Sequence, residues 1–426
     1  MIYDVQTPEQ NKEELSRLRE EYLRFQSRGL KLNMSRGVPC PEQLDLSVGL
    51  LTPLQSDEFR SSDGTDIRNY GNLAGTPEAR RFMADLMGVQ PENVVVAGSA
   101  SLNVMFDLVM HAYVHGVYGG SKPWCLADHP KFLCPVPGYD RHFRITEYFG
   151  IEMINVPMLP TGPDMDIVEE YVKDPSVKGI WCVPKYSNPQ GYTYSDETVR
   201  RFANLHPAAD DFRIFWDNAY LFHDLYPDEP DQLLNIFDEC RKAGTEDMVY
   251  EFISTSKITF SGAGVASLAA SVNNVNYVLK QFGIQTIGWN KVNMQMHVKF
   301  FGSKEGLKNH MRKHAALLVP KFETVLKVLR ENASDVAHWT TPHGGYFISL
   351  DTDMHGCAKR VVELCAGAGV TMTNAGAPFP YAKDPDDTNI RIAPTCVSVD
   401  DLVKSTQLMC LCIRIATLEK VLGEKV

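Results

Sequence analysis

Short apolar runs alternate with amphipathic segments along the middle of the chain, from about residue 69 to residue 300. The runs are rich in Val, Ile, Phe and Trp and occupy residues 93–97, 179–183, 212–216 and 248–253. After the first run, apolar residues recur at helical spacing at Leu102, Met105, Phe106, Val109 and Tyr113. Buried strands that alternate with helices are typical of a parallel sheet covered on both faces. The pattern therefore predicts an α/β fold with a mainly parallel central sheet.

Different patterns flank this region. At the amino end, a capping-box pattern at Thr7 and Gln10 predicts a helix that ends before Gly29, with an apolar stripe at Leu15, Leu18, Tyr22 and Phe25. After about residue 304, we expect a long helix over 310–329, a hairpin-like segment over 344–350, a short strand near Ile390 and a helix from Asp400. This organisation predicts three parts: residues 1–50, which join the small domain; a large domain over 51–303; and a smaller α+β domain over 304–426.

Composition excludes several classes of function. The 426 residues carry a net charge of -11 and no Lys/Arg block, which argues against nucleic-acid binding. The 10 cysteines show neither CxxC pairs nor a Cys/His ligand spacing, so neither a metal site nor a disulfide framework is indicated. The polar amino terminus lacks a signal-peptide core, and no apolar stretch approaches the roughly 20 residues of a membrane span. We expect a protein of the reducing cytoplasm.

Lys257 is the most suggestive single residue for chemistry. It follows Ser254, Thr255 and Ser256, directly after the apolar run at 248–253. A lysine at the end of a buried strand, among hydroxyls and backbone donors, suits an amine that loses its proton and attacks a carbonyl. The competing interpretation is a lysine whose charged end reaches solvent.

Polar residues follow the ends of three other predicted strands. Ser99, Ala100 and Ser101 follow one strand and open a helix, so their amides and hydroxyls can hold a phosphate, although such residues also form plain turns. No dinucleotide or P-loop glycine pattern is present, which disfavours a nucleotide-dependent enzyme. Asn188, in a loop where Pro189 can adopt a cis bond, can donate to a phenolate oxygen, although this string is also typical of a plain turn.

Asp217 ends the apolar run at 212–216, and Tyr220 follows three residues later. A carboxylate is costly to bury without a cationic partner, and a pyridinium nitrogen would supply one. A helix N-cap or a salt bridge is the alternative role. Together, the four strand ends provide a phosphate cradle, a phenolate donor, a pyridinium anchor and a Schiff-base lysine, which are the groups that pyridoxal 5'-phosphate requires.

Four motifs, in order and at similar separations, resemble those of the fold-type I, class I/II aminotransferases, and the resemblance covers nearly the whole chain. The motifs are residues 187–191, Asp217 with Tyr220, residues 254–257 and residues 389–394. The overall sequence, including segment 136–142, is most similar to an actinobacterial-type subgroup of bacterial aspartate aminotransferases. This resemblance implies a large domain with a mainly parallel seven-stranded sheet between helices, and a smaller α+β domain.

The resemblance also implies roles for individual residues. Lys257 would carry the cofactor and move the substrate proton, Asp217 would pair with the pyridinium nitrogen, and Asn188 and Tyr220 would bind the phenolic oxygen. The phosphate would be held by Ser99, Ala100, Ser101 and Ser254. Tyr139 would stack on the ring, and Arg391 would grip the substrate α-carboxylate with its planar fork. Gly37 would lie in a segment that closes over substrate, and Tyr70 would reach a phosphate across a homodimer interface.

Two features depart from the family or are left open. Val265 stands where relatives usually place a phosphate-binding arginine, so we expect Ser254, Ser256 and Ser101 to contribute more, unless another cation enters. Lys291 and His297 are candidates for binding a distal substrate carboxylate, but both also suit the surface or an interface.

The expected reaction is transfer of an amino group, with aspartate as donor and 2-oxoglutarate as acceptor, by a ping-pong scheme. Alternatives on the same fold are another donor, such as alanine or an aromatic amino acid, and a lyase or synthase reaction. A non-catalytic sensing module is a further alternative, although it would be expected to carry a helix-turn-helix ahead of the core.

Overall fold

The computed structural model describes residues 3 and 5–424. The strands, in chain order, are β1 (Leu32–Asn33), β2 (Val94–Val96), β3 (Lys131–Val136), β4 (Glu152–Leu159), β5 (Gly162–Pro163), β6 (Val177–Cys182), β7 (Arg213–Asp217), β8 (Val249–Ser254), β9 (Ala266–Ala270), β10 (Ala337–Trp339), β11 (Ile348–Thr352), β12 (Val370–Thr371) and β13 (Asn389–Ile392).

The helices alternate with the strands through the middle of the chain. They are α1 (Pro8–Gln26), α2 (Pro41–Asp45), α3 (Pro77–Met87), α4 (Ser101–His115), α5 (Asp140–Tyr148), α6 (Met165–Tyr171), α7 (Asp196–Ala203), α8 (Ile236–Ala243), α9 (Val272–Gln285), α10 (Lys291–Phe301), α11 (Lys304–Asn332), α12 (Ala358–Gly367) and α13 (Val399–Val421). Within the described part of the chain, none of these helices has both the length and the apolar character needed to cross a bilayer.

The central sheet has the strand order β2-β9-β8-β7-β6-β3-β4-β5. Strands β8, β7, β6, β3 and β4 are parallel, and β2 runs in the same direction because both β2 and β8 pair antiparallel with β9. The predicted mainly parallel sheet of seven strands is confirmed, and the two-residue β5 adds a short eighth strand at the edge. Separate apolar cores cover the two faces of this sheet, as expected for strands buried on both sides.

A second sheet, with the order β10-β11-β13, is antiparallel. The segment predicted to be hairpin-like, 344–350, divides: its first half belongs to the loop between β10 and β11, and its second half begins β11. The capping box at Thr7 and Gln10 is present at the start of α1. Leu15 and Leu18 of α1 share an apolar core with α11, α12 and α13, so the amino-terminal helix packs on the carboxyl-terminal elements. The boundaries near residues 50 and 303 stay a prediction.

Candidate active site

A cavity lies at the edge where the carboxyl ends of β2, β3, β6, β7 and β8 meet, the expected location in an open α/β sheet. Most of the predicted site residues line it, namely Ala100, Ser101, Tyr139, Asn188, Asp217, Tyr220, Ser254, Ser256 and Lys257. Leu102, Met105, Val183 and Ala219 complete the lining. The prediction that the strand ends assemble one site is therefore supported by the geometry.

Lys257 projects into this cavity from a short turn of helix directly after β8. The turn, Thr255–Lys257, is capped by Ser254, whose hydroxyl accepts a hydrogen bond from the amide of Ser256. The Lys257 Nζ lies 4.9 Å from the centre of the Tyr220 ring. Among the described residues, no carboxylate pairs with this amine, so it is available to react.

Asp217 is held at the floor of the cavity by a histidine. Its Oδ2 lies 2.9 Å from Nε2 of His142, whose ring stacks on Trp181 at 4.5 Å between ring centres. The other carboxylate oxygen of Asp217, Oδ1, is buried and has no partner among the described residues. A buried acceptor without a partner costs about 1–3 kcal/mol, so this oxygen marks a place for a cationic or N–H donor.

The sequence interpretation missed His142. The side chain belongs to α5, three residues after Tyr139, and reaches Asp217 from a distant part of the chain. Its position one helical turn beyond the predicted ring-stacking aromatic residue is the signal that could have identified it.

Two tyrosines line the walls as neutral phenols. Burial raises the pKa of Tyr139 to about 12, although the Lys257 charge acts in the opposite direction. Burial, reinforced by the negative charge of Asp217, raises the pKa of Tyr220 well above its ordinary value. Both hydroxyls therefore stay protonated near neutral pH and can donate hydrogen bonds.

Arg391 approaches from β13 and is buried beside Asn188. Its Nη1 donates to Asp140 Oδ1 at 2.8 Å and to Asn188 Oδ1 at 3.3 Å. The Asn188–Pro189 bond is cis, as the sequence suggested. Because the Asn188 oxygen accepts from Arg391, the Asn188 amide hydrogens are left to donate elsewhere.

The opposite edge of the Arg391 guanidinium is free. Its Nε is buried without a partner among the described residues, and its central carbon lies 4.8 Å from the centre of the Phe347 ring. A guanidinium fixed on one side and open on the other suits bidentate binding of a carboxylate. Asp140, which fixes the closed side, was not predicted from the sequence.

The predicted phosphate cradle consists of neutral donors. Helix α4 begins at Ser101, and its N-cap residue, Ala100, has no side chain to cap the first amides, so they are free to bind an anion. Opposite them, the hydroxyls of Ser254 and Ser256 lie 2.6 Å apart. Ser99 does not line the cavity, but its carbonyl accepts from the Ser256 hydroxyl at 2.9 Å.

Val265, which stands where the resemblance led us to expect a phosphate-binding arginine, supplies an apolar side chain and no cation. Its side chain is buried, and its amide donates to the Thr255 hydroxyl at 2.9 Å. Of the lysines and arginines in the described part of the chain, Lys257 alone lines the cavity. The predicted phosphate cradle therefore contains hydroxyls, amides and the positive end of the α4 dipole, and no guanidinium.

Besides Ser99 and Arg391, four candidate residues singled out from the sequence do not line the cavity: Gly37, Tyr70, Lys291 and His297. Gly37 packs so tightly on Phe347 that a Cβ there would lie 2.3 Å from the ring. Tyr70 is 73% exposed. Lys291 is buried and donates to the Gly71 carbonyl at 3.1 Å, and burial lowers its pKa.

His297 is also buried, with Nε2 3.0 Å from the Thr255 hydroxyl and 2.9 Å from the Thr259 hydroxyl. Both His297 and Lys291 are buried within the chain, so the interpretation that they are surface residues is wrong. Neither side chain lines the cavity. Lys291 instead contacts the main chain at Gly71, and His297 contacts the turn 255–257 that carries Lys257.

The fold and the site together define a class. A lysine amine and a buried carboxylate face one cavity at the carboxyl edge of a mainly parallel sheet. An arginine with one free edge lies beside Asn188, which lines that cavity. These are the features of a fold-type I α/β enzyme that acts through a Schiff-base lysine.

Comparison with known proteins agrees with this class. The model of the aspartate amino-transferase family matches residues 6–425. The aspartate aminotransferase of Corynebacterium glutamicum is 44% identical over 404 residues, which are 94% of this chain and 93% of that protein. The chain belongs to the aspartate aminotransferase family, and it is an aminotransferase.

Solved structures agree as well. The crystal structure of an aspartate transaminase from Corynebacterium glutamicum matches with a TM-score of 0.94 and 43% identity, over 97% of each chain. An α-aminoadipate aminotransferase from Thermus thermophilus has the same fold, with a TM-score of 0.74 and 19% identity, over 95% of this chain and 96% of that one.

Proposed function

We propose that this protein uses pyridoxal 5'-phosphate to transfer the amino group of aspartate to 2-oxoglutarate. The observation that carries the proposal is the buried, unpartnered Oδ1 of Asp217 in the same cavity as the Lys257 amine. The choice of aspartate rests on the relatives that bear this name.

The residues present fit this cofactor. Asp217 would accept from the protonated ring nitrogen, and Tyr139 would cover one ring face. Asn188 and Tyr220 would donate to the phenolic oxygen. When bound, the cofactor supplies an electron sink that stabilises negative charge at the substrate α-carbon. Because His142 already occupies the other oxygen of Asp217, the carboxylate stays oriented with Oδ1 towards the ring.

Arg391 and Lys257 would act on the substrate itself. The free Nε edge of Arg391 would bind the α-carboxylate and orient the amino acid. Lys257 Nζ would then accept the proton that leaves the α-carbon and return it on the cofactor side. Because donor and acceptor would both use Arg391, one product must leave before the other substrate enters, which gives ping-pong kinetics.

We also propose that the active unit is a homodimer in the cytoplasm. The exposed side chain of Tyr70 has no role in its own cavity, and a partner subunit would give it a phosphate to contact. The division into residues 1–50, 51–303 and 304–426 is part of the same proposal. In this proposal Ala100, Ser101, Ser254 and Ser256 surround the phosphate, and Ser99, which does not line the cavity, supports them through its bond to Ser256.

Borohydride trapping tests the attachment. Protein loaded with pyridoxal 5'-phosphate is reduced and digested, and we expect the pyridoxyl label on the peptide that contains Lys257. A Lys257→Arg variant, which keeps the charge, should take no label there. An unlabelled position 257 in the wild-type protein would overturn the proposal.

A panel of amino donors with 2-oxoglutarate then tests the reaction. We expect glutamate and an oxo acid as products, with aspartate the best donor. Without an oxo acid, the amino group should remain on the cofactor. Release of ammonia under those conditions would instead indicate elimination by a lyase.

A further inference from the structure

A buried chain of hydrogen bonds connects the amino-terminal segment to the main chain of Lys257. The side-chain amide of Gln43, in α2, donates to the Tyr346 hydroxyl at 3.0 Å. That hydroxyl donates to the Lys257 carbonyl at 3.1 Å. Gln43 is 0% exposed and Tyr346 is 1% exposed, so water does not compete with these bonds.

The other partners of Gln43 and Tyr346 show which atom donates in each of these hydrogen bonds. The Gln43 Oε1 accepts from the Cys40 amide at 3.0 Å, which directs the NH₂ group towards Tyr346 and towards His314 Nδ1, 2.9 Å away. Burial lowers the pKa of His314 to about 3, so its imidazole is neutral and can accept. Burial also raises the pKa of Tyr346 well above its ordinary value, so the phenol keeps its proton for Lys257.

Tyr346 packs directly behind Tyr220, which lines the cavity. It does not line the cavity, but its ring packs 6.0 Å from the Tyr220 ring and 5.4 Å from the His223 ring. His223 Nε2 also approaches the Lys257 carbonyl, at a longer 3.4 Å. Among the described residues, the side chains of Tyr346 and His223 both contact the Lys257 carbonyl, and the Tyr346 contact is the shorter one.

The next residue, Phe347, makes the corresponding contacts on the substrate side. Its ring lies beside the guanidinium of Arg391 and against Gly37. Two successive residues thus contact the lysine and the arginine of the site. Each also contacts the amino-terminal segment, Tyr346 through Gln43 and Phe347 through Gly37.

We propose that Gln43 and Tyr346 are positioning residues for Lys257: Gln43 orients the Tyr346 hydroxyl, and that hydroxyl holds the lysine main chain so that Nζ reaches its working position. The inference rests on the proposed function of Lys257. It adds to that function that the folded position of the amino-terminal segment, through Gln43, helps to determine the position of the Lys257 amine.

The test uses three variants of the full-length, cofactor-loaded protein. Tyr346→Phe removes the donor to Lys257, and Gln43→Met removes the donor to Tyr346 while keeping the volume similar. Tyr22→Phe is the matched control, because its hydroxyl also donates to a backbone carbonyl, that of Leu364, at 2.9 Å in the carboxyl-terminal core.

Two readouts separate positioning from general stability. Hydrogen exchange followed by mass spectrometry reports on the Ile258 and Thr259 amides, which both donate to the Thr255 carbonyl. Steady-state kinetics separate kcat from KM. For Tyr346→Phe, we expect exchange at these amides to be faster and kcat to be lower, each by up to about tenfold, with KM within about twofold. Gln43→Met should show the same pattern more weakly, and Tyr22→Phe should show neither change.

Equal effects of Tyr346→Phe and Tyr22→Phe would overturn the inference, as would a rise in KM at unchanged kcat. If Tyr346→Phe does not fold, Gln43→Met decides, since wild-type exchange and kcat in that variant would also overturn it. Failure of the proposed function is recognised separately, because then the wild-type protein itself takes no pyridoxyl label at Lys257.

Discussion

Neutralising Asp140 while keeping its shape should strengthen substrate binding. Asp140 is 27% exposed and pairs with Arg391 Nη1, so an incoming α-carboxylate on the free edge meets a second negative charge across the guanidinium. Two unit charges about 6 Å apart repel by about 1–3 kcal/mol at an effective dielectric constant of about 20–40. Partial exposure and salt reduce this to about 1 kcal/mol, or about fivefold in affinity.

Asp140→Asn removes the charge, and the amide oxygen can still accept from Arg391. We expect KM for the amino donor, and the dissociation constant of an unreactive carboxylate, to fall about fivefold at low salt, with a smaller gain at high salt. Asp335→Asn is the control, since it removes the same charge from an Arg414 pair far from the cavity. Unchanged or weaker binding by Asp140→Asn would refute the electrostatic reasoning.

Three further predictions concern the cofactor site and the core. The double variant Ser254→Ala, Ser256→Ala should raise the dissociation constant of pyridoxal 5'-phosphate about tenfold or more, because it removes two hydroxyls from a cavity that only one described Lys or Arg side chain, Lys257, lines; an equilibrium titration checks this. His142→Phe leaves a buried oxygen of Asp217 unpaired, and it should weaken cofactor binding about tenfold in the same titration. Burial raises the pKa of Glu251 to about 7, so wild-type stability should fall as pH rises from about 4.5 to 7, by up to about 3 kcal/mol. Glu251→Gln should abolish that part of the pH dependence in urea unfolding.

Matched variants control each of these measurements. Ser261→Ala removes a hydroxyl that donates to the Ser256 carbonyl outside the cavity, and His111→Phe replaces a buried histidine remote from Asp217. Glu169→Gln alters a partly exposed carboxylate on α6. Loss of cofactor affinity in either of the first two controls, or a flattened pH profile in the third, would contradict the assigned causes.

Local patterns in the sequence predicted the amino-terminal helix and most of the central sheet. The capping box at Thr7 and the apolar stripe of α1 depend on neighbours within one helical turn, and both are present. The site residues that end strands, such as Asp217 and Lys257, were predictable because parallel strands end at one edge. β3 and β4 were not among the four apolar runs. In β4, buried and exposed residues are interspersed, so no continuous apolar run marks it.

Partners that meet only through the fold were not predictable. Asp140 and Arg391 are 251 residues apart in the chain, and Tyr346 and Lys257 are 89 apart. Nothing in the local pattern of either residue indicates its partner. The same holds for Lys291 and His297, whose burial depends on how α10 packs against α3 and α11.

The reversed strand β9, which lies between β2 and β8, determines the path of the chain around Lys257. Because β9 starts where β8 ends, the chain after Lys257 turns back along its own path, with Ser254 opposite Ala266 and the Thr255 amide bonded to the Val265 carbonyl. The Lys257 amine is thus carried on a loop whose two ends are hydrogen-bonded to each other, whereas the residues after β3 and β6 lie on connections that cross over the sheet. Backbone hydrogen bonds within the sheet, and not the helices on its faces, therefore fix the base of that loop.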